Sequence, residues 1–321
     1  MNSRRVSVVL PTYKRAHLLG QAVRSVLDQT YTNLELIVVD DNSPDDTAAV
    51  VRAFDDPRVR YVRNDPNLKL PRALNRGFSL AQGDYLTWTS DDNLYAPQAI
   101  ARMVNALERT ECDFVYADYW LFSEQDTTGS PRDPRHDRLP DTLQLEKGNH
   151  IGACFLYTRR LYEAVGDYDP ELFLVEDYDY FLRAARAFRF CHVPEPLYYF
   201  RRDDETLYVS RFPEVKTSDL LVRYKNGLLD DATAAEMLAR LLLRHPENLT
   251  DAWLRRALEI REKWSYRLGD WLTRTRADRL TSELRTALAP LLASYASGTR
   301  SFAETRSALL DAIVRFGRLA H

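Results

Sequence analysis

The 321-residue chain is poor in several features, and each shortage closes off a class of function. Cysteine occurs three times, at Cys112, Cys154 and Cys191, and never as a C-x-x-C pair. That spacing argues against a structural zinc and predicts a reducing compartment. No apolar run approaches the ~18 residues of a membrane span. Strand-like sequence begins within a few residues of Met1, so no signal peptide is expected. Net charge is −3, so no overall basic field gathers nucleic acid. Neither G-x-x-x-x-G-K-[ST] nor G-x-G-x-x-G occurs, so no glycine loop is available to cradle a phosphate. A fixed-period repeat is also missing, which argues against a solenoid. Together these absences predict a cytoplasmic protein, at most peripheral to a membrane, that does not bind nucleic acid.

What the chain does have is the composition of a globular protein, 45% hydrophobic and 28% charged. Residues 6–10 (VSVVL) are a β-branched run ended by Pro11 and read as a first strand. Leu18, Leu19, Ala22, Val23, Val26 and Leu27 follow as one helical stripe. Further strands are expected at 34–39, 59–62, 85–88, 113–116, 151–157 and 197–200, and helices at 73–81, from Pro97 to Leu107, from Thr158 to Gly166 and over 176–188. Ser43, Pro44, Asp45 and Asp46 read as a helix start: cap, N1 proline, acidic first turn. Strands alternating with helices predict an α/β fold, a mostly parallel sheet with helices on both faces. Residues 123–149 are a polar, proline-containing excursion.

After about Pro213 strand-like runs vanish. Thr233-Ala-Ala-Glu236 and Ser301-Phe-Ala-Glu304 have the pattern of capping boxes. Trp253, Ala257, Ile260, Trp264, Leu268 and Trp271 hold a helical spacing. We therefore divide the chain into an α/β domain, 1–213, and an all-helical appendage, 214–321. The tryptophan stripe reads as core or, if exposed, as a face for a homo-oligomer or partner.

The most informative segment is Thr87-Trp88-Thr89-Ser90-Asp91-Asp92-Asn93, where a buried strand opens into two adjacent carboxylates. Such strand ends are where open α/β sheets bind ligands. Adjacent carboxylates repel unless a cation joins them, and Mg²⁺ with a nucleotide's phosphates would do so. The alternative is an acidic turn before the helix at Pro97. The first strand ends in Pro11-Thr12-Tyr13 and the second in Asp40-Asp41, on the same sheet edge. An aromatic ring there can stack on a base, and a carboxylate can accept a base N–H. Asp40-Asp41 could equally serve a turn. Glu176-Asp177-Tyr178-Asp179 opens a helix; its acids suit the helix dipole, or one is a general base. Asp177 and Asp179 do not share a face.

In order and spacing, these motifs resemble a family-2 glycosyltransferase with the GT-A fold. The resemblance runs over about residues 6–202, and within the family the two Asp-Asp-Asn segments are similar to spore-coat polysaccharide members. It implies an inverting enzyme that moves a sugar from a UDP- or dTDP-linked donor to a glycan or lipid-linked acceptor, in cell-surface polysaccharide or glycoconjugate synthesis. Asp41 would bind the pyrimidine beside Pro11, Thr12 and Tyr13. Asp91 and Asp92 would fill the D-x-D role, one near the ribose and one on Mg²⁺ or Mn²⁺. Asp177 would be the base. Arg201 or Arg202 could meet the diphosphate as a fork donor, or form a solvated pair beside Asp203 and Asp204. His150, Gly152 and Cys154 would border the acceptor pocket, Cys154 as a small buried hydrophobe. Two departures stand out: Thr89 replaces the first acid of Asp-x-Asp-Asp, and Arg201-Arg202-Asp203 replaces Arg-x-His. Competing readings are a nucleotidyltransferase, which would want a glycine-rich basic loop where this chain has only Lys14-Arg15, and a non-catalytic scaffold acting through the appendage.

Overall fold

The computed structural model describes residues 4–234, 236–237, 282 and 285–319. The chain divides into two compact units, Met1–Ser210 and Arg211–His321. In the first, strands β1 (Val6–Thr12), β2 (Leu34–Asp40), β3 (Val59–Arg63) and β4 (Tyr85–Trp88) alternate with helices α1 (Ala16–Leu27), α2 (Thr47–Arg52) and α3 (Leu70–Phe78). Next come β5 (Leu94–Tyr95), α4 (Ala99–Arg109), β6 (Phe114–Phe122), β7 (Arg135–Asp137), β8 (Phe155–Thr158), α5 (Arg159–Val165), α6 (Glu176–Ala185), β9 (Phe190–Arg201) and α7 (Leu207–Ser210).

The sheet order is β3-β2-β1-β4-β8-β6-β9-β5, with β7 on β6. From β3 to β4 every pairing is parallel. Beyond β4 the sheet is mixed: β8 is antiparallel to both β4 and β6, while β6 and β9 run parallel. The alternating pattern predicts the parallel half; the antiparallel insertion of β8 leaves no mark on hydrophobic periodicity.

Successive strand residues point to opposite faces, and the core follows that rule. Val6, Val8, Leu10, Leu36 and Val38 join Leu19, Ala22, Val23 and Val26 of α1 and Met103 of α4 in one buried cluster. Val9 and Val39, on the other face, meet α3 at Gly77, where an added Cβ would lie 2.3 Å from Val9 Cγ1. Both faces are thus covered, and Gly77 sets how closely α3 lies on the sheet.

Several local expectations shift. The helix expected at Ser43-Pro44 begins only at Thr47. Ser43 instead takes Lys14 N–H on its hydroxyl (3.1 Å), and Asp45 takes Ala16 N–H (3.1 Å), so the segment braces the loop after β1. Helix α3 starts at Leu70, with Pro71 in its first turn, rather than at Ala73. The excursion 123–149 carries β7 and a 3-10 turn, Leu145–Lys147. The cysteines are not all apart: Cys112 and Cys191 form a disulfide with Cα atoms 6.0 Å apart. Parallel pairing of β6 and β9, with Phe114 opposite Phe190, brings them together across 79 residues of sequence. The inference of a reducing compartment, which rested on separated cysteines, loses that support.

In the second unit, helix Phe212–Lys225 and helix Phe302–Leu319 are described. Ser301 and Glu304 form the expected capping box, Ser301 N donating to Glu304 Oε2 (2.8 Å) and Glu304 N to Ser301 Oγ (3.3 Å). Thr233 is not a cap: the helix begins at residue 231, and Asp230 accepts Thr233 N–H (2.7 Å). The Trp253–Trp271 stripe lies outside the described residues. No described helix is long and apolar enough to cross a membrane.

Candidate active site

Parallel pairing places Thr12 opposite Asp40, and Asp41 N donates to Thr12 O (2.9 Å), so the β1 and β2 ends open side by side. Thr89 N donates to Val9 O (3.0 Å), which brings the β4 end to the same edge. There a pocket of about 340 Å³ is lined by Pro11, Thr12, Tyr13, Asp41, Asp91, Asp92 and Arg201, among others. Asp177 and Arg202 are not in its lining.

The two adjacent acids of β2 have different jobs. Asp40 is fully buried and accepts from Tyr61 OH (2.5 Å), Ser43 N (2.7 Å) and Arg63 Nη1 (3.3 Å), so it is a structural knot. Asp41 faces the pocket. Its Oδ1 accepts from Asn64 Nδ2 (2.9 Å) and Leu68 N (2.8 Å), and its Oδ2, among the described residues, from Lys69 N (2.8 Å). A carboxylate has about four acceptor positions, so Oδ2 retains capacity for one more N–H. Tyr13 is 41% exposed at the pocket mouth, a large ring left in water where a planar group can stack.

Asp91 is buried, and Asp92 beside it is partly buried, its side chain keeping 9% exposure. Asp91 Oδ2 accepts the Thr12 hydroxyl (2.8 Å). Burial, then the Asp92 charge, pushes its carboxyl up to about 7. Burial likewise raises Asp92, against the pull of Arg15. The guanidinium of Arg15 is ion-paired with Asp92 and lies 3.6 Å from Asp91, so in the free protein an internal cation joins the pair. Thr89, at the position of the missing acid, bonds the Tyr198 hydroxyl (2.6 Å) and ties β4 to β9. Asn93 completes the motif by accepting Arg201 N–H (2.8 Å).

Arg201 is held on all sides, by Asp203 (3.2 Å), Gln125 (2.5 Å) and the Phe122 ring (4.9 Å). Arg202 is exposed and lies over the ring of the pocket residue Tyr208 (4.5 Å).

The three acids opening α6 also separate. Asp179 is fully buried and paired with Arg183 (2.8 Å). Glu176 is buried, and burial, then the Asp177 charge, lifts its carboxyl to about 8. It accepts Leu174 N–H (2.9 Å) and so holds Leu174 at φ 86, a left-handed conformation, next to Phe173 in the pocket wall. Asp177 is half-buried and accepts Asn149 Nδ2 (3.0 Å). Of the three, Asp177 alone keeps solvent access. Cys154 is fully buried against Met103, as a small hydrophobe would be.

Glu176 yields a pH prediction. Its pKa rises from 4.5 to about 8 on folding, so its contribution to stability is complete below 4.5 and is lost as pH climbs through 8. Glu176→Gln keeps an acceptor for Leu174 and removes the ionisation. Thermal melts should show the variant gaining on the wild type across that window. An unchanging difference would refute the assignment.

Sequence reading missed Arg15, the loop 64–69 that locks Asp41, Phe173, and residues 206–208 of the pocket wall. Lys69 carries φ 69 and Lys14 φ 58, so two pocket loops hold non-glycine residues in the left-handed region. Strain of this kind concentrates at ligand sites, but a lysine gives no sign of it in sequence.

The family model for glycosyl transferase family 2 matches residues 7–166. A putative colanic acid biosynthesis glycosyl transferase, WcaA, of Escherichia coli K12 is 32% identical over 57% of this chain and 66% of its own. An uncharacterized glycosyltransferase of Rickettsia typhi is 30% identical over 73% of this chain and 74% of its own. Among solved structures, Staphylococcus aureus TarS 1-349 superposes with a TM-score of 0.55 at 19% identity, covering 98% of this chain and 90% of that one, which supports a GT-A fold. With the sheet, the acidic strand ends on one edge and a relative matched along most of its length all in agreement, this chain belongs to glycosyl transferase family 2.

Proposed function

We propose that this glycosyltransferase takes a sugar from a nucleoside-diphosphate donor, UDP- or dTDP-linked, and transfers it with inversion to a hydroxyl of a glycan or lipid-linked acceptor in cell-surface polysaccharide synthesis. The observation that carries the reading is the convergence of Tyr13, Asp41 and the Asp91-Asp92 pair on one pocket. The relatives point the same way. WcaA is named for colanic acid biosynthesis, Escherichia coli WfgD for glucosyl transfer from UDP-Glc to a GlcNAc-diphosphoundecaprenol, and TarS crystals hold UDP or UDP-GlcNAc.

In this reading Tyr13 stacks on the base, and the free capacity of Asp41 Oδ2 takes a base N–H. Among the described residues no group of three or more metal-binding side chains converges. Two carboxylates suit Mg²⁺ or Mn²⁺, which are commonly completed by substrate phosphates and water. Asp92 would be the principal ligand, because Asp91 is already oriented by Thr12. A bound metal would supply positive charge against the leaving diphosphate. Asp177 takes the proton of the acceptor hydroxyl as that oxygen bonds to the anomeric carbon, and the bond from that carbon to the diphosphate oxygen breaks in the same displacement. Calorimetry with UDP and dTDP, each with Mn²⁺ or Mg²⁺, tests the reading. Binding that requires metal is expected; no heat with either nucleotide would sink it.

A further inference from the structure

We infer that Arg15 works as an exchangeable cation: it neutralises Asp91 and Asp92 in the free enzyme and passes to the donor's diphosphate when a divalent metal takes its place. The inference rests on the nucleotide-sugar reading above and extends it to a residue that reading leaves without a role.

Arg15 Nη1 carries the ion pair with Asp92 and lies 3.6 Å from Asp91, while Nη2 donates to the Glu205 carbonyl (2.9 Å). Its side chain retains 22% exposure and lines the pocket, so it has room to move. The two arginines after β9 are placed differently. Arg201 is clamped by Asp203, Gln125 and Phe122, and Arg202 lies over Tyr208 outside the pocket lining.

Charge balance drives the exchange. Two adjacent carboxylates, one buried and one partly so, need a counter-cation, because an uncompensated buried charge is strongly destabilising. When a divalent cation arrives, the guanidinium faces a like charge a few ångströms away and loses its anion. The diphosphate brought with the metal offers two rows of oxygens, which match the planar fork of arginine. The same side chain therefore serves whichever anion lacks a partner. Its departure also frees the Glu205 carbonyl, coupling donor arrival to the segment that ends in the pocket residues Thr206, Leu207 and Tyr208.

The test is calorimetry on Arg15→Ala with two probes, Mn²⁺ alone and UDP in saturating Mn²⁺. Removing a competitor should tighten Mn²⁺ alone, and removing a phosphate donor should weaken UDP, each by about tenfold as expected of one charge-assisted contact. Opposite signs are the signature. Weakening of both would make Arg15 a structural organiser of the acid pair, tightening of both a mere placeholder, and no change in either an idle surface contact; each overturns the exchange. Arg15→Lys, which keeps the charge but loses the fork, should show the same signs at smaller size and carries the test if the alanine variant melts before titration. A wild-type enzyme that fails to bind UDP with metal would instead overturn the nucleotide-sugar reading itself.

Discussion

Replacing Asp177 with Asn is expected to cut transfer by roughly 10²- to 10⁴-fold, the usual contribution of a positioned general base, while leaving affinity for UDP with metal unchanged. The expected split follows from position. Asp177 stands in the first turn of α6, outside the lining of the pocket that holds Tyr13, Asp41 and the acid pair. Asn keeps the size of the side chain and can still meet Asn149, so the helix start should survive. Turnover is followed by release of the nucleoside diphosphate and binding by calorimetry. Full turnover in the variant would remove Asp177 from the proton path. Asp179 would be a poor replacement, since it is buried and bound to Arg183. Glu176 would be hardly better, since its carboxyl is buried and committed to Leu174.

The second large effect is expected at the acid pair. Asp92→Ala should weaken metal-dependent UDP binding by about 100-fold or more, on the scale of losing a ligand from a metal that clamps charged phosphates. Asp91→Asn should cost less in binding, because the carboxamide can still accept the Thr12 hydroxyl. Neither change should lower the melting temperature of the ligand-free protein appreciably. The pair is a like-charge couple, and whichever acid remains still has Arg15. Equal affinities in wild type and Asp92→Ala would place the metal elsewhere, and a large loss of ligand-free stability would recast the pair as structural.

Much of this site is legible one residue at a time. Pro11, Thr12, Tyr13, the Asp40-Asp41 pair, Asp91 and Asp92 can be picked out because strand ends announce themselves by an apolar run giving way to polar residues, and parallel strands put those ends on one edge; Arg201, and Asp41 over Asp40, are singled out only through the family resemblance. The roles within each acidic cluster are not legible. Nothing in Asp40-Asp41 says that the first side chain turns into Tyr61 and the second into the pocket, because alternation along a strand is set by register. Nothing in Glu176-Asp177-Tyr178-Asp179 says that Arg183 claims one acid and the Leu174 amide another.

The sequence by itself determined the fold class and the sheet edge on which the acidic strand ends gather, because hydrophobic periodicity and strand-end polarity are local properties carried by neighbouring residues. Tertiary structure alone decided what depends on distant residues meeting. It inserted β8 antiparallel between β4 and β6, joined Cys112 to Cys191, and turned Thr89 from a missing acid into a tie to Tyr198. It also set Arg15 against an acid pair 77 residues away. A pairing across that distance depends on the path of the whole chain, and no local pattern encodes it.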